Sequence, residues 1–333
     1  MVDHRHDPAQ GEAVHPDPRY RDPAQVPAPT VVVGIDGSRA AIDAATWAAH
    51  EADRRGAVLR LVEVVEWRAD ENGHPEAADA AQRSRSLLRE AAGRHVDRAA
   101  QHAGYLLPGA RIVRQVLEGA PGEVLGRMSD DSDLLVVGGP VGGWSGSLLG
   151  LALAARSSCP LVFVERVGPA PGGARVVVGI DGSDDGDAAL RFALGEARDR
   201  GVPLEVVHAW SDTPLDPYLA PSVDFAAFAP DVRAAIDARV DRWAGAFPEV
   251  EIRHTVARDR PEAALAEASR GARLVVVGAR GRRGRGTVAL GEVARRVVLL
   301  AHCPVAVVGP RWRGGAGALS REGAGAAARG TPP

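Results

Sequence analysis

The apolar residues of this chain fall into short unbroken runs, separated by alanine-rich segments in which small residues recur every three or four positions. Continuous rather than alternating runs mark strands that are covered on both faces, as in parallel sheets. In the first half the runs predict strands over 31–36, 58–65, 111–117, 133–138 and 161–165. In the second half they predict strands over 175–181, 204–210, 251–257, 273–278 and 304–309. After the first strand, Ala41, Ala44, Ala45 and Ala48 share one helical face, as do Ala189, Phe192, Ala193 and Ala197 in the second half. Gly56 and Gly201 follow where a left-handed residue closes the last turn. The alternation predicts an α/β fold: two Rossmann-like, doubly wound five-stranded parallel sheets in tandem. Ligands are expected at the carboxyl ends of strands, near the switch in strand order.

The two halves are copies of one unit. The octapeptide Val-Val-Val-Gly-Ile-Asp-Gly-Ser at 31–38 returns unchanged at 176–183, and self-similarity of this kind decides the whole fold. Asp36/Asp181, Pro121/Pro261, Gly138/Gly278 and Cys159/Cys303 continue the match. Gly138 and Cys159 are 21 residues apart, Gly278 and Cys303 are 25 apart, so the copies differ in a glycine-rich loop after the fourth strand. The expected organisation is an arm at 1–29, a first domain at 30–167, a linker at 168–174, a second domain at 175–310 and a tail at 311–333. The arm is polar and proline-rich, and the tail is glycine, alanine and arginine, compositions that do not build a core.

Composition narrows the chemistry. No run approaches the roughly 20 apolar residues of a membrane span, and the polar start at Asp3–Asp7 carries no export signal, so a cytoplasmic protein with no membrane partner is expected. A net charge of −3 gives no general pull toward nucleic acid. All 40 basic residues are arginine, which excludes a lysine Schiff base and a Walker-A lysine. Two cysteines at equivalent places read as small buried residues, and no metal site is expected.

Three features of the second half converge on one sheet edge. Asp181 ends the first strand, the second ends at His208-Ala209-Trp210, and the fourth runs through Val277-Gly278-Ala279-Arg280-Gly281 into a helix starting near Gly291. Glycines let backbone N–H groups approach phosphate oxygens, and a helix N-terminus adds a favourable dipole. Arg280, Arg282, Arg283 and Arg285 add anion attraction. A solvated basic loop with glycines serving only a turn is the alternative reading. Glu63 and His208 stand at matching positions with no partner visible for acid–base work, and Asp184, Asp185 and Asp187 read as acids of a helix first turn rather than a calcium loop.

The chain resembles the universal stress protein family, and specifically its tandem members. The resemblance rests on the paired Val-Gly-Ile-Asp-Gly-Ser openings, Leu-Leu-Val-Val-Gly-Gly at 134–139, Leu-Val-Val-Val-Gly-Ala at 274–279 and the closing Cys-Pro strands. It spans nearly everything from Val31 to Pro310 and implies an adenine nucleotide alpha hydrolase-like fold with the halves packed through their fifth strands. ATP-binding members carry glycine, two residues, glycine, nine residues, glycine, then serine or threonine. Gly278, Gly281 and Gly291 match that spacing, and the resemblance implies that their backbones hold the phosphates of ATP, with or without Mg²⁺. It also implies a site drawn from Gly179, Ile180, Asp181, Ala209, Val277, Arg280 and Val293, with Asp181 at the adenine and ribose and Ala209 at the base edge.

Glu292 departs from the pattern by standing where the hydroxyl belongs, and its charge is expected to oppose a phosphate. The first half departs further: Val141 replaces the second glycine, leaving a residual site of Asp36, Val64, Gly138, Gly146 and Ser147. The resemblance implies a stress-response regulator that binds adenine nucleotide mainly in the second half, with an unidentified regulatory partner and with or without association into a homodimer. The rival is a non-nucleotide-binding interaction or scaffold protein acting through strand pairing. A metabolic enzyme is not expected, although slow ATP hydrolysis is compatible with the reading.

Overall fold

The computed structural model describes residues 28–67, 75–139, 148–165, 175–210, 225–258, 260–281 and 290–314. The first half runs β1 (Thr30–Ile35), α1 (Arg39–Arg55), β2 (Val58–Val65), α2 (Pro75–Leu106), β3 (Ile112–Glu118), α3 (Pro121–Met128), β4 (Leu134–Gly138), α4 (Leu148–Arg156) and β5 (Leu161–Val164). The second repeats it as β6 (Arg175–Gly179), α5 (Asp184–Arg200), β7 (Leu204–Trp210), α6 (Phe225–Ala244), β8 (Ile252–Arg258), α7 (Pro261–Ala268), β9 (Ala272–Gly278), α8 (Glu292–Leu300) and β10 (Val305–Val308). Each strand falls within two residues of the run that predicts it.

The two five-stranded units form one sheet of order β3-β2-β1-β4-β5-β10-β9-β6-β7-β8. Within each half every pairing is parallel, and the halves join where β10 pairs antiparallel with β5, Val305 opposite Phe163 and Val307 opposite Leu161. The fifth-strand contact implied by the resemblance is therefore made inside a single chain. Because one apolar strand edge covers the other, neither is left exposed at the centre of the sheet.

Both faces of the sheet are covered, as continuous apolar strands require. On one face the strands pack with α1, α2, α5 and α6; on the other with α3, α4, α7 and α8, and both cores run through the two halves. The alanines of α1 are what bring it close: Ala41, Ala44, Ala45 and Ala48 are all but fully buried. Ser38 caps α1 by accepting from the Ala41 N–H at 3.1 Å, and Ser183 caps α5 through the Gly186 N–H at 3.1 Å. Such caps are each worth about 1 kcal/mol. Gly56 and Gly201 close the same helices at φ 62° and 61°, the left-handed geometry expected of them.

Two elements behave differently from their sequence reading. Asp36 and Asp181 lie beyond their strands, because each carboxylate accepts the N–H of the serine two residues on, at 3.0 Å, and turns the backbone out of the sheet. The first residues of the expected tail pack down: the Trp312 ring meets Phe192 edge-on at 5.6 Å, with the Arg191 guanidinium 4.7 Å over Trp312.

Candidate functional site

The order of strands reverses between β1 and β4 in the first half and between β6 and β9 in the second, which opens a crevice at the carboxyl ends of each pair. In the second half that crevice is built by three short segments. After β6 the chain passes through Ile180 to Asp181, whose Oδ1 takes both the N–H of Ser183 and, at 2.5 Å, its hydroxyl. After β9 it passes through Ala279 and Arg280 to Gly281. Gly291 then bonds back to the Ala279 carbonyl at 2.8 Å and begins α8.

The three spaced glycines are brought together, each with a close neighbour. A Cβ on Gly278 would stand 2.8 Å from the backbone of Asp185. One on Gly281 would stand 2.7 Å from Asp181 Oδ2, and one on Gly291 would reach 3.4 Å from the Ala279 carbonyl oxygen. Any side chain at Gly281 therefore enters the space over the Asp181 carboxylate. Gly291 caps α8 without a side-chain bond, so its N-cap residue supplies no side-chain oxygen to the first-turn N–H groups of that helix.

Other residues of the expected set support the crevice from behind. Val277 and Ile180 are core residues, with only their backbones near the edge, and Gly179 lies under the Leu265 side chain of α7. The Ile180 carbonyl accepts from His208 Nδ1 at 2.8 Å, which gives this histidine a structural partner. Ala209 continues β7 past the last residue of β6 and pairs only with Ala257 of β8. Val293 is exposed beside Glu292 on the first turn of α8. The arginines at 282, 283 and 285 lie outside the described residues.

Glu292 does not stand as the bare charge expected from its position. Its carboxylate turns back along its own helix, accepting from Arg295 at 2.9 Å and from Arg296 at 2.6 Å. Bonds from these two guanidiniums hold its carboxyl down at about 2. Arg280 is committed as well: its backbone N–H and its Nε both donate to Asp185 Oδ2 at 3.1 Å. At the mouth, Arg239 of α6 reaches within 3.8 Å of a Cβ placed on Gly182 and bonds Asp187 at 2.5 Å. Sequence reasoning did not single out Arg239, and it took Asp185 and Asp187 only as acids of a first turn.

In the first half, Asp36 and Gly138 occupy the same places, and Val64 is buried in β2 where Ala209 is half-exposed in β7. Gly146 and Ser147 lie outside the described residues, as does Trp144. Among the described residues the crevice differs at Gly37, where a Cβ would be 2.6 to 2.8 Å from the His95 imidazole of α2. His95 Nδ1 lies 3.1 Å from Glu63 Oε1, the partner that sequence reasoning lacked for that acid. Burial pushes the Glu63 carboxyl up against the opposing pull of His95, and the nearby Asp36 charge adds to the rise. The imidazole thus sits against the turn that Arg239 approaches more loosely, at 3.8 Å, in the second half. Among the described residues no group of three metal-ligating side chains occurs, and no helix is long and apolar enough to cross a membrane.

The model of the universal stress protein family matches residues 28–165 and again 174–309. Universal stress protein Rv2623 of Mycobacterium tuberculosis is 34% identical over 301 residues, which cover 83% of this chain and 95% of that protein. Universal stress protein Rv1996 of the same organism is 35% identical over 298 residues, covering 83% and 94%. A solved structure of a universal stress protein from Archaeoglobus fulgidus shares the fold at a TM-score of 0.55 and 15% identity, over 84% of this chain and 96% of that one.

Proposed function

The chain belongs to the universal stress protein family, and we propose that it is a stress-response regulator that takes ATP or another adenine nucleotide in its second half. The observation that carries the reading is the meeting of Gly278, Gly281 and Gly291 with Asp181 at the β6/β9 switch, before a helix whose first turn has no side-chain cap. Backbone donors and a helix dipole of this kind suit a phosphate chain. Asp181 is then a ribose or adenine partner, and the backbone of Ala209 edges the base. The first half, with His95 against Gly37, serves mainly as the structural mate of the second.

The regulator acts through occupancy rather than turnover. His208 is spent on a backbone carbonyl, and the Ser183 hydroxyl is held on Asp181 as part of the turn that caps α5. ATP hydrolysis, where it occurs, is slow and resets the bound state. A cytoplasmic location and a regulatory protein partner belong to the same reading. Since β5 and β10 consume each other, association into a homodimer uses another surface.

One observation favours the scaffold reading. Arg280, Arg239, Arg295 and Arg296 each rest on a carboxylate of the protein itself. Calorimetric titration of ATP, with and without Mg²⁺, into the full-length chain decides between the two. One site per chain in the micromolar range is expected. Absence of heat together with absence of a thermal shift leaves the scaffold reading in place.

A further inference from the structure

Asp185 distinguishes the two copies at a point where their backbones agree. The fourth-strand glycine of each copy lies against the first turn of the helix that follows the first strand. A Cβ on Gly138 would be 2.7 Å from the carbonyl carbon of Ala40, and one on Gly278 would be 2.8 Å from that of Asp185. The close approach is made over alanine in one copy and aspartate in the other, so the carboxylate is not needed for it.

What the carboxylate does is take two donors of Arg280, the backbone N–H and the Nε, both on Oδ2 at 3.1 Å. Asp185 is only 7% exposed. A charge-assisted bond drawn away from water in this way is stronger than one at the surface. Ser183 Oγ also lies 3.4 Å from the Arg280 carbonyl, which keeps this residue against the start of α5.

We propose that Asp185 is a built-in competitor for phosphate. It fills the anion position of the loop in the ligand-free chain, and a phosphate enters by taking over the backbone N–H and guanidinium of Arg280. The inference rests on the nucleotide reading of the site and adds a selection rule to it. Affinity becomes a difference between two anions bidding for the same donors. A lone phosphate must outbid a carboxylate that is already in place. A phosphate chain attached to a base and ribose brings further contacts to the exchange and is favoured over the free anion.

The test is calorimetric titration of ATP, and separately of inorganic pyrophosphate, into the full-length wild type, Asp185→Ala, Asp185→Asn, Arg280→Ala and the Asp185→Ala/Arg280→Ala double variant. Asp185→Ala is expected to fold, because Ala40 fills that place in the first copy, and its melting temperature checks this. Both Asp185 variants are expected to bind ATP on the order of tenfold more tightly. Arg280→Ala is expected to change little alone, and to cost on the order of tenfold once Asp185 is gone. Wild type that binds ATP while neither Asp185 variant binds more tightly overturns this inference alone. Pyrophosphate binding that tightens in the variants, with no ATP taken up by any chain, overturns the nucleotide reading and supports the inference. No uptake of either ligand by any chain overturns both.

Discussion

Arg200 of the second half donates to Glu51 of the first at 2.9 Å, and Arg55 of the first half returns the bond to Glu196 of the second. Arg54 joins them by bonding Glu196 at 3.2 Å. The two glutamates are 2% and 3% exposed, so the ends of α1 and α5 bury a reciprocal ion-pair network between the halves. Removing one member of such a network leaves the others charged and unpaired, which costs far more than the pair itself contributes.

Acid should therefore loosen the joint between the halves. Burial opposes the Glu51 charge, but Arg55, Arg200 and Arg54 together overcome it and hold the carboxyl at about 2, against an ordinary 4.5. A depressed folded-state pKa gives stability that is fully present above the unfolded value and is lost as pH falls from 4.5 toward 2. The contribution is on the order of 3 kcal/mol. Thermal melts at pH 7, 4.5 and 3 should show a steep drop over the last interval. In Glu51→Gln the melting temperature should already be low at pH 7, and the drop should be shallower.

Gly281→Val should abolish ATP binding while leaving the fold intact. The glycine is exposed, but a Cβ there stands 2.7 Å from Asp181 Oδ2. A branched side chain fills the space over that carboxylate. Calorimetry together with a melting temperature close to that of the wild type checks both halves of the expectation.

Glu292→Ser should tighten ATP binding by roughly tenfold, because it frees the Arg295 guanidinium and places a hydroxyl donor at the start of α8, while Arg296 keeps its pairing with Glu262 at 3.5 Å. With its carboxyl held at about 2, Glu292 stays ionised across neutral and mildly acid pH. It therefore imposes no pH dependence on wild-type binding between pH 5 and 8. Affinities measured at those two values should agree as far as this residue is concerned; a wild-type affinity that rises on acidification and stays flat in Glu292→Ser would contradict the pairing.

Trp312→Ala should lower the stability of the second half by about 1–2 kcal/mol, the worth of one aromatic edge contact and one guanidinium stacked on a ring. Truncation after Pro310 should reproduce the Trp312→Ala loss.

The strands were legible because parallel strands covered on both faces carry no alternation to confuse, and Val31–Val33 and Val275–Val277 are apolar at every position. The repeat made the second half readable from the first. Contacts between distant residues were not legible: Arg280 and Asp185 are 95 positions apart, and nothing in either local sequence announces the bond. His95 was missed for the same reason, being one polar residue among many on a long helix. Glu51 and Glu196 did leave a trace, since they hold the same place in each copy. Two acids matched across a duplication and followed four residues later by matched arginines (Arg55 and Arg200) are a recognisable sign of reciprocal pairing.

The strand pair at the centre of the sheet has one more effect. When two identical chains join through such an edge, every substitution appears on both sides of the joint, and the two crevices must stay alike. Here the mates are tied in one polypeptide, so each inherits its own changes while the shared frame persists. Alanine can stand at 40 where aspartate stands at 185, and an imidazole can rest on one turn while a guanidinium reaches the matching one. Joining also ceases to depend on how much protein the cell makes, because the second mate is always within a linker's reach of the first. The molecule can thus act as a matched pair in shape and as two different instruments in chemistry.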